Sequence, residues 1–413
     1  MTSPATTIDA DLVIVGAGPS GAAAAIEAAR AGRHVVVVDK AVFPRDKCCG
    51  DGLTTGALRH LDELGLDPAA VPSWQPVHDV HVAGPNTKLV RFPLPEGRGQ
   101  FAAITRRSEL DAALVDLAIE AGAEVHQGCS LHGVHVAGAA AGGGAGAPVV
   151  VTAGELEIRA DAMIAADGMW SPTRKHLGLA QPDYRGEWHA FRQYFRNVNP
   201  AAASELFVWF EKDLLPGYVW SFPLADGSAN VGFGIQRGQG VAIQDMKRLW
   251  PDILARPHIA EVVGPDAEPE APHRAWPIPA RLGDLTLRYG PVLFVGDAAA
   301  ATDPMTGEGI GQAIETGRLA AECLLEAADI DEAGARYERE LRRGMVRDHG
   351  LANALAKVLG TGWGANSSVA IAGATGWTRR NFARWLFEDY PRAVLGTPHR
   401  WSRDMFTRPG AYR

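Results

Sequence analysis

Three glycines, Gly16, Gly18 and Gly21, fall in the run GAGPSG with Pro19 and Ser20 between them. The run sits between an apolar stretch, DLVIVG, and an alanine-rich one, GAAAAIEAARAG. The first glycine permits a tight turn, the second lets a pyrophosphate approach the backbone, and the third lets a helix pack on a strand. A phosphate then rests on a helix N-terminus, where the dipole stabilises an anion by about 0.3–1 kcal/mol and free N–H groups add hydrogen bonds. Asp39, with Lys40 beside it, ends the next apolar run, HVVVVD, where a carboxylate can accept from ribose hydroxyls. Dinucleotide binding follows, but the choice between NAD and FAD does not.

That choice comes from two later segments. Asp167 and Gly168 follow the apolar AMIAA and precede Ser171 and Arg174 in DGMWSPTR; PVLFV runs into Gly296 and Asp297, then Pro304, Gly307, Glu308 and Gly309, in GDAAAATDPMTGEG. These segments resemble the paired DG and GD motifs of flavoproteins with the p-hydroxybenzoate hydroxylase fold. The resemblance implies FAD. It also implies that Asp297 holds the ribitol chain, that Gly309 and Ile310 turn backbone N–H groups toward the flavin pyrimidine edge, and that Arg107, in RSELD, lies near the cofactor.

Two further segments, FPRDKCCGDGL (43–53) and PGYVWSFPLADGSANVGFG (216–234), resemble the geranylgeranyl reductase family. Members use reduced FAD to saturate carbon–carbon double bonds in isoprenoid chains. Their PxxYxWxFP pattern recurs here with one residue fewer between Pro216 and Tyr218, while Tyr218, Trp220, Phe222 and Pro223 match. Strand alternation puts Tyr218, Trp220 and Phe222 on one face, which suits a hydrocarbon chain; an aromatic core stripe is an equal reading for Phe222, while the family match favours the pocket for Tyr218 and Trp220. Cys49, followed by Gly50, matches the family cysteine of a KxCG pattern placed near the isoalloxazine. Arg45 and Lys47 are close enough in sequence to depress its thiol pKa, against the plainer reading of a small buried thiol. The candidate catalytic residues are therefore Cys49, Tyr218 and Trp220.

The implied reaction is hydride transfer from reduced flavin N5 to a hydrophobic alkene. The alternatives are an FAD monooxygenase of the same fold and a flavin-dependent halogenase, whose WxWxIP segment is not matched because Tyr218 and Phe222 replace its first Trp and its Ile. A flavin-binding module without turnover ranks last, because residues 171–288 are enough for a substrate domain. No second glycine fingerprint is present, so electrons are expected from NAD(P)H reacting transiently or from ferredoxin.

These motifs need elements to hold them. Asp11–Asp39 reads as strand, turn, helix, strand; Phe43–Gly65 as a loop feeding a helix; Ser108–Ala121 as an amphipathic helix. Glu124–Val151 alternates like a hairpin around the soft patch Ala137–Pro148. FRQYFRNV, ELFVWFE, YVWSFPL and NVGFGI read as short strands, Val292–Val295 as a buried strand and Gly309–Ala328 as a long helix. From Glu332 the chain reads helical, with breaks at the glycine-rich Leu359–Ala374.

The expected class is α/β: a discontinuous Rossmann-like FAD-binding domain (1–70, 100–175 and 285–328), a mostly antiparallel substrate domain (71–99 and 176–284) and a helical C-terminal region (329–413). With 413 residues, 46% of them apolar and 21% charged, the chain has the balance of a globular enzyme. A net charge of −8 argues against nucleic acid. Four cysteines, Cys48, Cys49, Cys129 and Cys323, fit neither a disulfide framework nor paired metal ligands, so a cytoplasmic setting without a metal is expected. The Trp- and Arg-rich tail, Trp377–Arg413, suits either peripheral membrane contact or a cap on the substrate domain.

Overall fold

The structure is a computed structural model that describes residues 6–137, 148–387 and 408–413. Its first sheet orders strands Arg288–Tyr289, Val292–Phe294, Leu156–Ala165, Thr6–Val15, Val35–Asp39 and Glu124–Gln127. From Val292–Phe294 to Glu124–Gln127 every pairing is parallel, and both faces of such a sheet are covered. That is why VVVV and LVIV are unbroken apolar runs: Val13, Ile14 and Val35–Val38 are all fully buried. The expected hairpin is present, with Leu131–Val136 antiparallel to Val149–Ala153; its tip, residues 138–147, lies outside the described residues.

Helices Pro19–Arg30 and Ile310–Glu326 pack together on this sheet. Gly317 makes the contact possible, since a Cβ there would lie 2.1 Å from the Ser20 carbonyl oxygen. The first turn of one helix thus rests against the middle of another, nearly 300 residues away in the chain.

The second sheet runs Glu268–Pro269, Trp188–Arg196, Ala229–Gln236, Tyr218–Pro223, Leu206–Trp209, Asp79–Ala83, Leu89–Pro93, with Arg274–Ile278 also on Trp188–Arg196. It is antiparallel except where Leu206–Trp209 runs parallel to Asp79–Ala83. Helices Met246–Leu254 and Pro257–Val263 cover one face, burying Trp250 against Phe191 and Phe233. A three-stranded ribbon, Gly52–Leu53, Ala103–Ile104 and Gln75–Pro76, joins the two halves.

Leu359–Ala374 corrects the sequence expectation only in its interior. The chain does break at Gly360–Thr361 and again after Ala372, but between these points Gly362–Ala372 forms a helix whose N-cap Thr361 accepts from the Gly364 N–H at 3.0 Å. Of its two glycines, Gly364 is a packing residue: a Cβ there would lie 2.1 Å from the Val358 carbonyl oxygen, while Gly362 faces open space. Small residues here allow close approach, so composition alone misled. Helix Gly376–Phe387 follows and sets Phe382 5.0 Å from Phe92 of the second sheet; residues 388–407, the greater part of the Trp- and Arg-rich tail, lie outside the described residues. The final residues return to the first half, where Ala411 bridges Gln100 and Tyr412 packs edge-on to Trp74.

Candidate active site

A cavity of about 1080 Å³ runs between the two sheets. That exceeds the roughly 300–1,000 Å³ of sites for single drug-sized ligands. Nearly every residue expected from sequence lines it: Gly16, Gly18, Pro19, Ser20, Asp39 and Lys40 at one end, then Cys49, Gly50, Arg107, Asp167 and Gly168, and then Asp297, Gly307, Gly309 and Ile310, with Tyr218 and Trp220 opposite. Gly21 and Gly296 are not on the wall; they support it from behind. A Cβ at Gly21 would sit 1.8 Å from the Gly16 carbonyl oxygen, and one at Gly296 would sit 2.8 Å from Ser20 Oγ.

The fingerprint turn fits a pyrophosphate. At Gly18 an added Cβ would meet only Arg45 Nη2, at 3.6 Å, so the backbone is open to the cavity, and no side chain caps the helix that starts at Pro19. Asp39 lines the cavity beside this turn. Its carboxylate accepts from Ala17 N at 2.7 Å and Ala41 N at 2.8 Å, which fixes the turn that it lies beside. Gly309 leads the other helix, where the Glu308 carboxylate accepts from Gly311 N at 2.6 Å. The uncapped N-terminus at Pro19, with the open backbone at Gly18, is what the FAD phosphates require of their cradle.

Charged groups complete this wall. Arg107 donates two hydrogen bonds, both 2.8 Å, to the fully buried Asp111, which also ion-pairs with Arg45 at 2.8 Å. Lys47 Nζ lies 3.9 Å from Asp297 and 3.8 Å from the centre of the Trp276 ring; burial holds its pKa below the usual lysine range. Asp167 accepts from Thr173 N at 2.7 Å and is pushed up by burial. Arg174, from the same DG segment, donates to the carbonyls of Ala298 and Thr286 at 2.7 and 2.8 Å and so ties the DG segment to the GD one.

The opposite wall is apolar. Tyr218, Trp220 and Phe222 stand in a row, with adjacent ring centres 6.0 and 6.1 Å apart, as strand alternation expects. The Tyr218 hydroxyl donates to the Thr306 carbonyl, fastening the second sheet to the turn before Gly307. Trp220 Nε1 donates to Asn230 Oδ1 at 3.1 Å, and Asn230 Nδ2 donates to the Cys49 carbonyl at 3.0 Å. Leu206 and Val208 extend this surface, and Leu355, Val358 and Phe382 bring the C-terminal helices into it. Their part was invisible in sequence, because an apolar stripe on a helix reads the same whether it meets a core or a ligand.

Cys49 requires a correction. Its thiol is pushed up by burial, not depressed, and the cation that offsets burial most is Arg107 rather than Arg45 or Lys47. Arg45 is committed to Asp111 and Lys47 to Asp297 and Trp276, so sequence proximity did not become electrostatic proximity. Cys48 is likewise pushed up, to about 12.

The sequence reading missed Asp51. It is fully buried, lines the cavity, and accepts from Tyr194 Oη at 2.6 Å and Asn230 Nδ2 at 2.8 Å. Burial raises its carboxyl to about 6, with Tyr194, Arg192, Asn230 and Arg107 opposing the rise. The only trace in sequence is an acidic residue set between Gly50 and Gly52.

Comparison with known proteins agrees with this geometry. The FAD binding domain family matches residues 9–336. This chain is therefore an FAD-dependent oxidoreductase. A menaquinone reductase of Mycolicibacterium smegmatis is 34% identical over 85% of this chain and 84% of its own length. Digeranylgeranylglycerophospholipid reductase 2 of Methanopyrus kandleri is 31% identical over 79% and 80%. A geranylgeranyl bacteriochlorophyll reductase-like protein from Thermoplasma acidophilum shares the fold, with a TM-score of 0.77, 24% identity and coverage of 96% of this chain and 100% of that one. Within the FAD-dependent oxidoreductases, the chain belongs to the geranylgeranyl reductase family of flavoproteins. The flavin-dependent brominase Bmp2 shares the fold at a TM-score of 0.70 and 19% identity. Among the described residues no helix is long and apolar enough to cross a membrane.

Proposed function

We propose that this protein saturates carbon–carbon double bonds of an isoprenoid or related hydrophobic substrate. One observation carries the reading: a single cavity joins a dinucleotide cradle to a wall of Tyr218, Trp220, Phe222, Leu206 and Val208. Bound FAD, once reduced, supplies a hydride at N5. The chain's own groups do the rest. The Gly18 turn and the helix beginning at Pro19 hold the phosphates, while Asp297, with Lys47 beside it, and the N–H groups at Gly309 and Ile310 hold the ribitol and flavin ends. The aromatic row excludes water and lays the alkene along the ring system. The relatives named for menaquinone and digeranylgeranylglycerophospholipid support a long apolar substrate.

Electrons come from NAD(P)H meeting the flavin transiently or from a ferredoxin. Exposed Trp363, Ile371 and Trp377 lie on the helices beside the apolar wall, which supports peripheral contact with a membrane holding the substrate. Flotation with anionic liposomes tests that contact, and failure to co-migrate removes it.

The reaction is tested by reducing the enzyme anaerobically and adding a polyprenyl substrate such as geranylgeranyl diphosphate or a prenylated quinone. Flavin reoxidation with a product heavier by two hydrogens is expected. If only oxygen reoxidises the flavin and the product is hydroxylated, the protein is a monooxygenase instead.

A further inference from the structure

The loop that carries Cys49 places Asp51 at φ +69°. A residue other than glycine is held in that region only when its surroundings over-determine it, at a cost of about 1–3 kcal/mol. Here they do: Asp51 N donates to Cys49 Sγ at 3.3 Å, Thr105 N donates to the Asp51 carbonyl at 3.0 Å, and Oδ2 takes the bonds from Tyr194 and Asn230. The other carboxyl oxygen, Oδ1, is buried without a hydrogen-bond partner. The same Asn230 grips Trp220, so the carboxyl is indexed to the aromatic wall. Tyr194 is itself clamped between two guanidiniums, with Arg106 4.3 Å and Arg192 4.1 Å from its ring centre.

We infer that Asp51 is the acid that completes alkene saturation: its carboxyl gives a proton to one alkene carbon as the hydride of reduced FAD goes to the other. Two C–H bonds form and the π bond breaks, the flavin gives up its two electrons as the hydride, and Asp51 is left as a carboxylate. Tyr194 Oη and Asn230 Nδ2 stabilise that carboxylate until water reprotonates it. The alternatives on this wall are worse placed. The Tyr218 hydroxyl already donates to the Thr306 carbonyl, and the Cys49 thiol gives up its proton reluctantly because burial disfavours its thiolate.

The inference rests on the proposed alkene reduction, and the experiment separates the two. In oxidised holoenzyme and in the FAD-free protein, infrared titration should show a protonated carboxyl band that disappears near pH 6 and is absent from Asp51→Asn. Asparagine tolerates positive φ, so this variant should keep the loop and bind FAD normally. Reoxidation of its reduced flavin by the alkene should fall by about 10²–10⁴-fold. In the wild-type protein that rate should be maximal below pH 6 and fall as pH rises through it.

The charged and titratable groups around Asp51 are Tyr194 and Arg192 on Trp188–Arg196, Arg107 on Arg107–Glu120, and Cys48 and Cys49 on its own loop. Tyr194→Phe removes a bond that favours the carboxylate and should move the limb to higher pH, which a merely structural role would not do. If wild-type protein reduces the alkene and Asp51→Asn does so within threefold, this inference fails alone. If wild-type reduced flavin is never reoxidised by alkene, the proposed function fails and takes the proton donor with it. Absence of the infrared band also overturns the inference.

Discussion

Replacing Asp111 with asparagine should uncouple the cofactor wall from the protein's core. The carboxylate is fully buried on the helix Arg107–Glu120 and serves two cations, taking two 2.8 Å hydrogen bonds from Arg107 and a 2.8 Å ion pair from Arg45. Asparagine keeps the shape, removes the charge, and leaves two guanidiniums facing each other in a poorly solvated place. Breaking a buried pair in this way costs about 3–5 kcal/mol. Denaturant unfolding of the FAD-free protein should show a lower midpoint with an unchanged slope, and fluorescence titration should show weaker FAD binding because both arginines line the cavity. Salt should matter little, since a buried pair is poorly screened. An unchanged midpoint, or a loss that disappears in high salt, would show that Asp111 does not hold the two cations as described.

Other expectations follow from the same wall. Asp51 is raised by burial from the ordinary carboxylate range to about 6, so its neutral form favours folding at low pH and that contribution is lost as pH rises from about 4 through 6. Asp51→Asn should flatten that part of the FAD-free protein's stability–pH curve by about 3 kcal/mol, measured by urea unfolding from pH 4 to 8. Gly18→Ala should fold normally and bind FAD weakly, whereas Gly21→Ala should lose stability, because its Cβ would collide with the Gly16 carbonyl; thermal melts with and without FAD distinguish them. Cys48 and Cys49, both raised by burial, should be alkylated by iodoacetamide at pH 8 far more slowly than a free thiol, as mapped by peptide mass.

Much of the cofactor wall was legible because phosphate binding needs glycines at fixed spacing and parallel strands need unbroken apolar runs. Both are local patterns, and Gly16 to Asp39 and Gly296 to Ile310 display them. Tyr218, Trp220 and Phe222 were legible as one face for the same reason. Asp51, Tyr194 and Asn230 were not: Asp51 lies 143 and 179 residues from its two partners, and its positive φ leaves no mark on residue type. The Cys49 environment was misread because Arg45 and Lys47 are neighbours in sequence only. The helix Gly362–Ala372 was hidden by its glycines, of which Gly364 serves packing rather than turning.

Gly50 has a wider significance. An added Cβ there would lie 3.4 Å from Phe222 and 3.7 Å from Trp220, so the cysteine loop and the aromatic strand meet across a space one methyl group wide. Most of the cavity is divided between two separately built surfaces, one on each sheet, and the hydrocarbon side can be reshaped at Leu206, Val208 or Phe382 with the phosphate side untouched. Substrate range is thus free to drift while the redox unit stays constant. At Gly50 that independence ends, and a larger side chain there must be answered by a smaller one at 220 or 222.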